Sequence, residues 1–529
     1  MTSTWLLFVV IAAIGVAGFA KRLDLQVPLV LVTIAGAASF IPGIPRLELA
    51  PDLILGVVLP PLLYSAALDF PFASFRRNIA PILRLGIGMV VVTTFAVGWF
   101  ANWLVPELTL ASALVLGAVV APPDAVAAVS VGRKLGLPTR MMAILKGESL
   151  VNDAAALTLF ALTTAAVTGK KIAIDSPVLF FLYEVVGGVV IGLALAFAVR
   201  FFRSRIEDSP METVLGLVLP FAAYAAAEEV HASGVLAVVT AGFVLGRDSG
   251  DESISTRIQE RSVWPTVDLV LETFVFAYMG LQLRFVIDDV QDEGLPLHHV
   301  FAYGLAVLVL VIAVRPVWIF LTRGRRPHWR QNLVISWAGM RGVVTLAAAS
   351  GVPLTTLAGD PFPGRGVIQA IAFTVAVGTL LIQGSTLPML IRRLDVADPD
   401  EDLRLEGQVA LARTISRDAA EKSLGEALRS PPRGVDPQEL SEIVGRVRRA
   451  AQARADAERE EEASEQKAKA AKASALFNRL RRQVLRDQRA ALIGARDSGA
   501  LDDEVLRQVL EGLDVEEAAA DARVRRQRW

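Results

Sequence analysis

Long apolar blocks separated by short charged stretches run through the first three quarters of the chain, and the last quarter abandons that pattern. Ending each block at clusters of Pro, Gly or charge gives thirteen, at 4–20, 26–42, 52–69, 79–104, 110–131, 141–168, 176–201, 211–228, 232–247, 263–285, 298–322, 332–352 and 366–391. A ~30 Å hydrocarbon core takes roughly 20 helical residues to cross. The pattern predicts an all-α polytopic membrane protein with about 13 transmembrane helices. No positive residue precedes the first block and Lys21-Arg22 follow it, so it reads as a first span and not as a removed leader.

Two blocks are interrupted: the fifth by Val119-Val120-Ala121-Pro122-Pro123-Asp124, the twelfth by Ala338-Gly339-Met340-Arg341-Gly342. They lie seven spans apart, an odd offset, so two six-helix halves (spans 1–6 and 8–13) would enter the membrane in opposite senses. Broken helices at matching positions of inverted repeats point to a transporter's binding site. The plainer alternative is that Gly and Pro are simply tolerated in membrane helices.

Composition sharpens the division. Lys and Arg number 53 against 54 Asp and Glu. Residues 1–394 carry 54 of these charges, whereas the 135 residues of 395–529 carry 53. The expected domains are a transmembrane unit, 1–394, and a charged helical tail, 395–529. There is no cysteine, which excludes disulfides, thiolate metal sites and cysteine nucleophiles. A net charge of -1 without a basic, aromatic-interleaved run gives nucleic acid no footprint. Alternate connections carry nineteen and five positive residues, so the richer set is cytoplasmic. That places the N-terminus outside and the tail inside a cell membrane.

Ionisable groups within spans cost at least ~2.5 kcal/mol each and need a reason. Asp124 follows Pro122 and Pro123, which donate no backbone hydrogen bond, so the helix is expected to open there with carbonyls facing inward, an oxygen cage suited to a hard cation. In span six, Glu148/Asn152 and Ser149/Asp153 are two i, i+4 pairs on one side of a helix. Arg315, before Pro316, and Arg341 complete the set. Counting residues from the inner ends puts Asp124, Glu148, Arg315 and Arg341 roughly 10–14 Å deep, and Asp153 at roughly 18 Å. An acid and a base at one depth neutralise each other, which makes Glu148 with an arginine a structural pair. Asp124 and Asp153 read as more than helix glue, since unpaired acids are poor glue in hydrocarbon. Lys146 snorkels to the inner surface. Asp268 and Glu272 leave two roles open, lining a path or facing the inner aqueous funnel. His231, His298, His299 and His328 fall in or near loops and read as surface residues.

These motifs resemble the sodium/proton exchangers of the first monovalent cation/proton antiporter family, the NhaP-type and NHE-type proteins. The match lies in Gly147-Glu148-Ser149-Leu150-Val151-Asn152-Asp153, Gly117-Ala118-Val119-Val120 running into Asp124, Gly339-Met340-Arg341-Gly342 and Gln383-Gly384-Ser385-Thr386, and it spans essentially 1–394. The resemblance implies a thirteen-span inverted-repeat fold, a homodimer with a mobile core, and elevator-like exchange of Na⁺, or of K⁺ or Li⁺, for H⁺ without any cofactor. It makes Asp153 the ion- and proton-binding aspartate, with Ser149 and Asp124 as companion Na⁺ ligands and Asn152 as the asparagine of this branch. It pairs Glu148 with an arginine, Arg315 first and Arg341 second. Two departures stand out. Pro123-Asp124-Ala125 replaces the family's Thr-Asp-Pro, and Ser65 stands where many relatives carry a third-span glutamate, with Asp69 one turn on as a candidate substitute.

The tail mixes acids and bases, as in Glu458-Arg459-Glu460-Glu461-Glu462, and breaks at Pro431-Pro432-Arg433-Gly434. Solvated helices are the default reading of such a pattern. The 501–510 stretch has an apolar face able to pack on a partner helix, so a regulator or the partner protomer is a candidate ligand. Two other classes compete with antiport. An intramembrane aspartyl enzyme would use Asp124 and Asp153, yet no Gly-x-Gly-Asp stands in a late span. A cation channel would need a filter-like loop that is absent.

Overall fold

The computed structural model describes residues 2–23, 25–44, 54–124, 126–170, 176–206, 208–248, 254–292, 296–323, 329–396 and ten positions between 414 and 445. The chain divides into two compact units, Met1–Glu401 and Asp402–Trp529. The tail segments singled out above, 458–462 and 501–510, lie outside the described residues, as do Arg46, Lys171, Arg325, Arg326 and His328.

In the first unit the described residues are helical apart from turns and one isolated bridge, Thr355 to Pro361. The helices are α1 (Thr2–Arg22), α2 (Val27–Ala38), α3 (Ile54–Leu68), α4 (Phe72–Arg77), α5 (Ile79–Leu104), α6 (Leu110–Val120), α7 (Val126–Lys134) and α8 (Thr139–Thr168). There follow α9 (Pro177–Arg203), α10 (Ser209–Glu229), α11 (Gly234–Asp248), α12 (Ile254–Asp292), α13 (Leu297–Arg323), α14 (Trp329–Trp337), α15 (Val343–Ser350) and α16 (Arg365–Leu394). Among the described residues, eight helices are long and apolar enough to cross a membrane: α1, α5, α8, α9, α10, α12, α13 and α16. Four shorter apolar helices, Val27–Ala38, Ile54–Leu68, Leu110–Val120 and Gly234–Arg247, join them.

Helix ends depart from the apolar blocks where charge continues a helix beyond its apolar stretch. α12 extends well past 263–285 at both ends, because Glu260 pairs with Arg203 at 2.6 Å and Arg284 reaches Asp288 at 3.5 Å. Hydropathy marks the membrane, not the hydrogen-bond ladder. Conversely, α2 stops at Ala38, where the Ser39 hydroxyl donates to the Gly36 carbonyl at 2.7 Å.

Small residues let the helices approach closely, the membrane substitute for a hydrophobic driving force. A Cβ on Gly117 of α6 would lie 2.2 Å from the Thr94 carbonyl of α5, and one on Gly246 of α11 would lie 2.5 Å from that of Leu68 in α3. Within α5 the backbone widens into a π turn over Arg84–Gly88 and packs Gly86 against Val151 of α8. α9 packs on α10 and α11, whereas α8 packs chiefly on α5 and α6. Large apolar side chains point outward on α9 (Val178, Leu182, Val186, Val190) and on α13 (Leu305, Val309, Val317), as lipid-facing surfaces do.

Candidate functional site

The interrupted helices meet at their interruptions. α6 ends at Val120 and α7 begins at Val126; α14 ends at Trp337 and α15 begins at Val343. The Asp124 N–H donates to the Met340 carbonyl at 2.6 Å, joining the two breaks backbone to backbone. Each break leaves orphan carbonyls on one side and orphan N–H groups on the other, with partial negative and positive charge respectively. Arg341, buried to 1% exposure, serves the carbonyls. Its Nε donates to the Val120 carbonyl at 3.0 Å, Nη2 to that of Ala121 at 3.4 Å, and Nη1 to that of Gly339. Its own N–H donates to the Thr379 hydroxyl of α16 at 2.9 Å. Asp124 serves the N–H side: its Oδ1 accepts from the Val126 N–H at 2.8 Å and so caps α7. Its Oδ2 lies where a Cβ on Gly342 would come within 1.8 Å, so that glycine, at the head of α15, admits the carboxylate.

The oxygen cage expected at the prolines is therefore differently arranged. The Val120 and Ala121 carbonyls accept from Arg341, and the Pro123 carbonyl accepts from Asn152 Nδ2 at 2.6 Å. A helix opened in hydrocarbon has no water to turn to, and protein donors fill that role.

α8 brings the other residues. Glu148 is 2% exposed and Asp153 6% exposed, so both carboxylates are buried. Arg315 of α13 grips Glu148 with both ends of its guanidinium: Nη1 donates to Oε1, and Nη2 to Oε2 at 2.8 Å. Its Nε donates to the Ile335 carbonyl at 3.1 Å. Gly339 makes the space, since a Cβ there would lie 2.4 Å from the Arg315 Cδ. Arg341, the second-choice partner, is engaged with the break instead. Asp153 accepts no hydrogen bond among the described residues, and the charge acting on it most is that of Asp124. Asn152 is fully buried; its Nδ2 is used and its Oδ1 has no partner among the described residues. Ser149 lies part-buried one turn before Asp153. Asp153, Asn152 and Asp124 thus bring side-chain oxygens beside the crossing, while Glu148 is neutralised next to them.

Outside this cluster, the Ser65 hydroxyl donates to Asp268 Oδ2 at 2.6 Å, and Glu272, one turn further along α12, lies within electrostatic range of Asp268, Asp124 and Lys21. Asp69 ends α3 and, with Arg76 and Arg247, lines a surface cavity of about 470 Å³. His231, His298 and His299 are exposed. The apolar pattern misses Glu184, whose Oε2 accepts from the Thr158 hydroxyl of α8. Its signal is faint: one acid inside the apolar α9. Arg84 is also missed; its Nη1 donates to the Thr322 carbonyl at 2.7 Å and ties α5 to α13.

The transmembrane sodium/hydrogen exchanger family model matches 7–393. An uncharacterised Na⁺/H⁺ exchanger of Mycobacterium tuberculosis is 34% identical over 93% of this chain and 91% of its own length. The sodium, potassium, lithium and rubidium/H⁺ antiporter of Bacillus subtilis is 30% identical over 72% of this chain and 60% of its own. In fold the chain is like the sodium proton antiporter MjNhaP1 of Methanocaldococcus jannaschii, with a TM-score of 0.62 over 74% of this chain and 98% of that one at 20% identity. A helical, membrane-embedded chain with two broken helices crossing beside buried acids, matched by the family over 7–393, belongs to the sodium/hydrogen exchanger family, whose members are transporters and not enzymes.

Proposed function

We propose that the chain exchanges one monovalent cation for one proton across the cell membrane at Asp153, with Asp124 and Ser149 as further ligands and Asn152 beside them. The observation that carries this reading is the buried Asp153 carboxylate, which no described cation neutralises, five residues from a glutamate that Arg315 neutralises fully. A carboxylate left without a protein partner in hydrocarbon takes its partner from the transported species. Proton and cation then compete for the same oxygens, and each loaded state carries the same net charge. Asn152 cannot titrate, which leaves Asp153 as the principal exchangeable acid and favours a 1:1 ratio. Na⁺ is the first candidate. The name of the Bacillus subtilis relative supports testing K⁺, Li⁺ and Rb⁺ beside it.

The same proposal includes a transmembrane domain over 1–394 with thirteen spans in two inverted halves, the N-terminus outside, a cytoplasmic tail over 395–529, and a homodimer in which the tail binds the partner protomer or a regulator. Pairing α6 and α7 as one broken span and α14 and α15 as another supports that count. In this reading the break helices and α8 move against the rest, and cation and proton share one path.

The test is dequenching of a trapped pH dye in proteoliposomes, with each alkali cation added in turn. Antiport predicts cation-dependent proton flux, and its absence with every alkali cation overturns the proposal. Moving one charge through 100 mV is worth roughly 2.3 kcal/mol, so net charge transfer shows as voltage sensitivity. With K⁺-diffusion potentials set by valinomycin and a control for K⁺ transport, the Na⁺/H⁺ equilibrium point stays constant. A displacement with voltage would mean that a second acid, Asp124 first, gives up a proton in the cycle.

A further inference from the structure

The bond between Glu184 and Thr158 has no part in the site described above, yet it bears directly on the helix that carries Asp153. Thr158 follows Asp153 on α8 by about 7.5 Å, on the side away from Glu148. Glu184 sits about 10 Å inside the start of α9. α9 presents Val178, Leu182, Val186 and Val190 outward and packs chiefly on α10 and α11, whereas α8 packs chiefly on α5 and α6 and meets α9 only lightly. Across this boundary a part-buried carboxylate reaches a hydroxyl that is 4% exposed.

The hydroxyl also lies 2.9 Å from the Ala154 carbonyl, so one hydrogen faces two acceptors. When Glu184 is ionised, Thr158 donates to it. When Glu184 is protonated, the carboxyl donates to Thr158, and the hydroxyl turns its own hydrogen to Ala154. The bond exists in both states with reversed polarity. The surroundings of Glu184 are sparse. From α8 it meets Thr158; from α10, the charged group acting on it is Glu228; from the turn before α11, the Ser233 N–H reaches only its backbone carbonyl, at 3.1 Å. No cation among the described residues acts on it.

We infer that Glu184 and Thr158 form a latch between the site helix and α9, making Glu184 a positioning residue for exchange: the bond holds the conformation seen here and must open for α8 to move past α9. The inference rests on the antiport reading for its consequence, but the bond can be tested without transport.

In full-length protein in proteoliposomes, Thr158→Val changes the ratio of apparent KM for the cation on the two membrane faces by about 3–10-fold, the effect of losing one hydrogen bond, with a smaller change in maximal rate. Thr158→Ser, which keeps the hydroxyl, retains the wild-type ratio. Glu184→Gln, whose amide can donate to or accept from the hydroxyl, keeps the bond and retains the wild-type ratio. The Thr158→Val/Glu184→Ala double variant shifts the ratio no further than either single one. A wild-type ratio in folded Thr158→Val, a Thr158→Ser variant that behaves like Thr158→Val, or additive effects would overturn the latch. If Thr158→Val does not fold, Glu184→Ala takes its place and must shift the ratio by the same amount, with Glu184→Gln as its conservative control. If the wild type moves no alkali cation, the antiport reading fails and the latch is read by thiol labelling. Because the chain has no cysteine, Leu157→Cys gives a single reporter beside Thr158. Adding Glu184→Ala should raise its labelling rate about 3–10-fold, again the loss of one hydrogen bond, and an unchanged rate overturns the latch.

Discussion

Glu148 and Asp153 are carboxylates on one helix, about 7.5 Å apart along its axis, and both are withdrawn from solvent. Their settings are opposite. Arg315 meets both oxygens of Glu148 and anchors its own Nε on the Ile335 carbonyl, so that charge is cancelled and fixed. Asp153 has no such partner among the described residues, and its charged neighbour is another acid, Asp124. The first arrangement holds α8 to α13. The second leaves an unmet demand for positive charge, which in the antiport proposed above is filled and emptied in turn. Burial alone does not separate the two carboxylates; the count of fixed counter-charges does.

The sharpest way to break this comparison is to remove the charge that lacks a fixed partner. Asp153→Asn should abolish cation-dependent proton flux while leaving the thermal midpoint in detergent at or above that of the wild type, since no ion pair is lost. Retained flux would move the centre of the mechanism elsewhere. The paired acid should behave the other way round. Replacing Glu148 by Gln, or Arg315 by Gln, leaves one buried charge uncompensated and should cost about 3–5 kcal/mol of stability, with the double variant losing less than the sum. Additive losses in thermal unfolding would mean that the pair is not coupled.

A smaller change probes how tightly Asp124 is seated. Gly342→Ala places a methyl group against its Oδ2, and overpacking of about 1–3 kcal/mol should lower exchange roughly tenfold in a protein that still folds. Wild-type exchange in that variant would show that the Asp124 carboxylate does not need its present position. The mildest perturbation is removal of the tail. A chain ending at Leu394 should keep exchange, because every intramembrane charge named above precedes that point. A folded truncation inactive at every pH would place the tail within the transport cycle.

What the amino-acid pattern reveals differs by kind of feature. Interruptions are visible because Pro122, Pro123, Gly339 and Gly342 break helix rules locally. Depth arithmetic brings Glu148, Arg315 and Arg341 to one level but offers two arginines for one acid. The choice depends on facts that spacing does not hold: Gly339 clears room for the Arg315 side chain, and the carbonyls of both breaks require a donor, which Arg341 supplies. The inward carbonyl cage fails as an expectation for the same reason, because local chain geometry cannot foresee a donor 221 positions away. Glu184 escapes notice since hydropathy averages a single acid into the apolar α9, and only its contact with Thr158 marks it out. The overrun of α12 beyond its apolar block reflects Glu260 and Asp288, charged residues whose partners are clear only in three dimensions.

The joining of the breaks also sets a timetable for biosynthesis. When α6 and α7 leave the ribosome, the carbonyls of Val120 and Ala121 have no donor, and the one they will use, Arg341, is made 221 residues after Val120. At ordinary elongation rates of about 5–20 residues per second, that delay is on the order of 10–40 s. During that interval these two carbonyls lack the donor that satisfies them in the finished fold. The crossing therefore cannot mature until Arg341 has been made, and a chain arrested before Met340 can insert its early helices without ever owning a completed crossing.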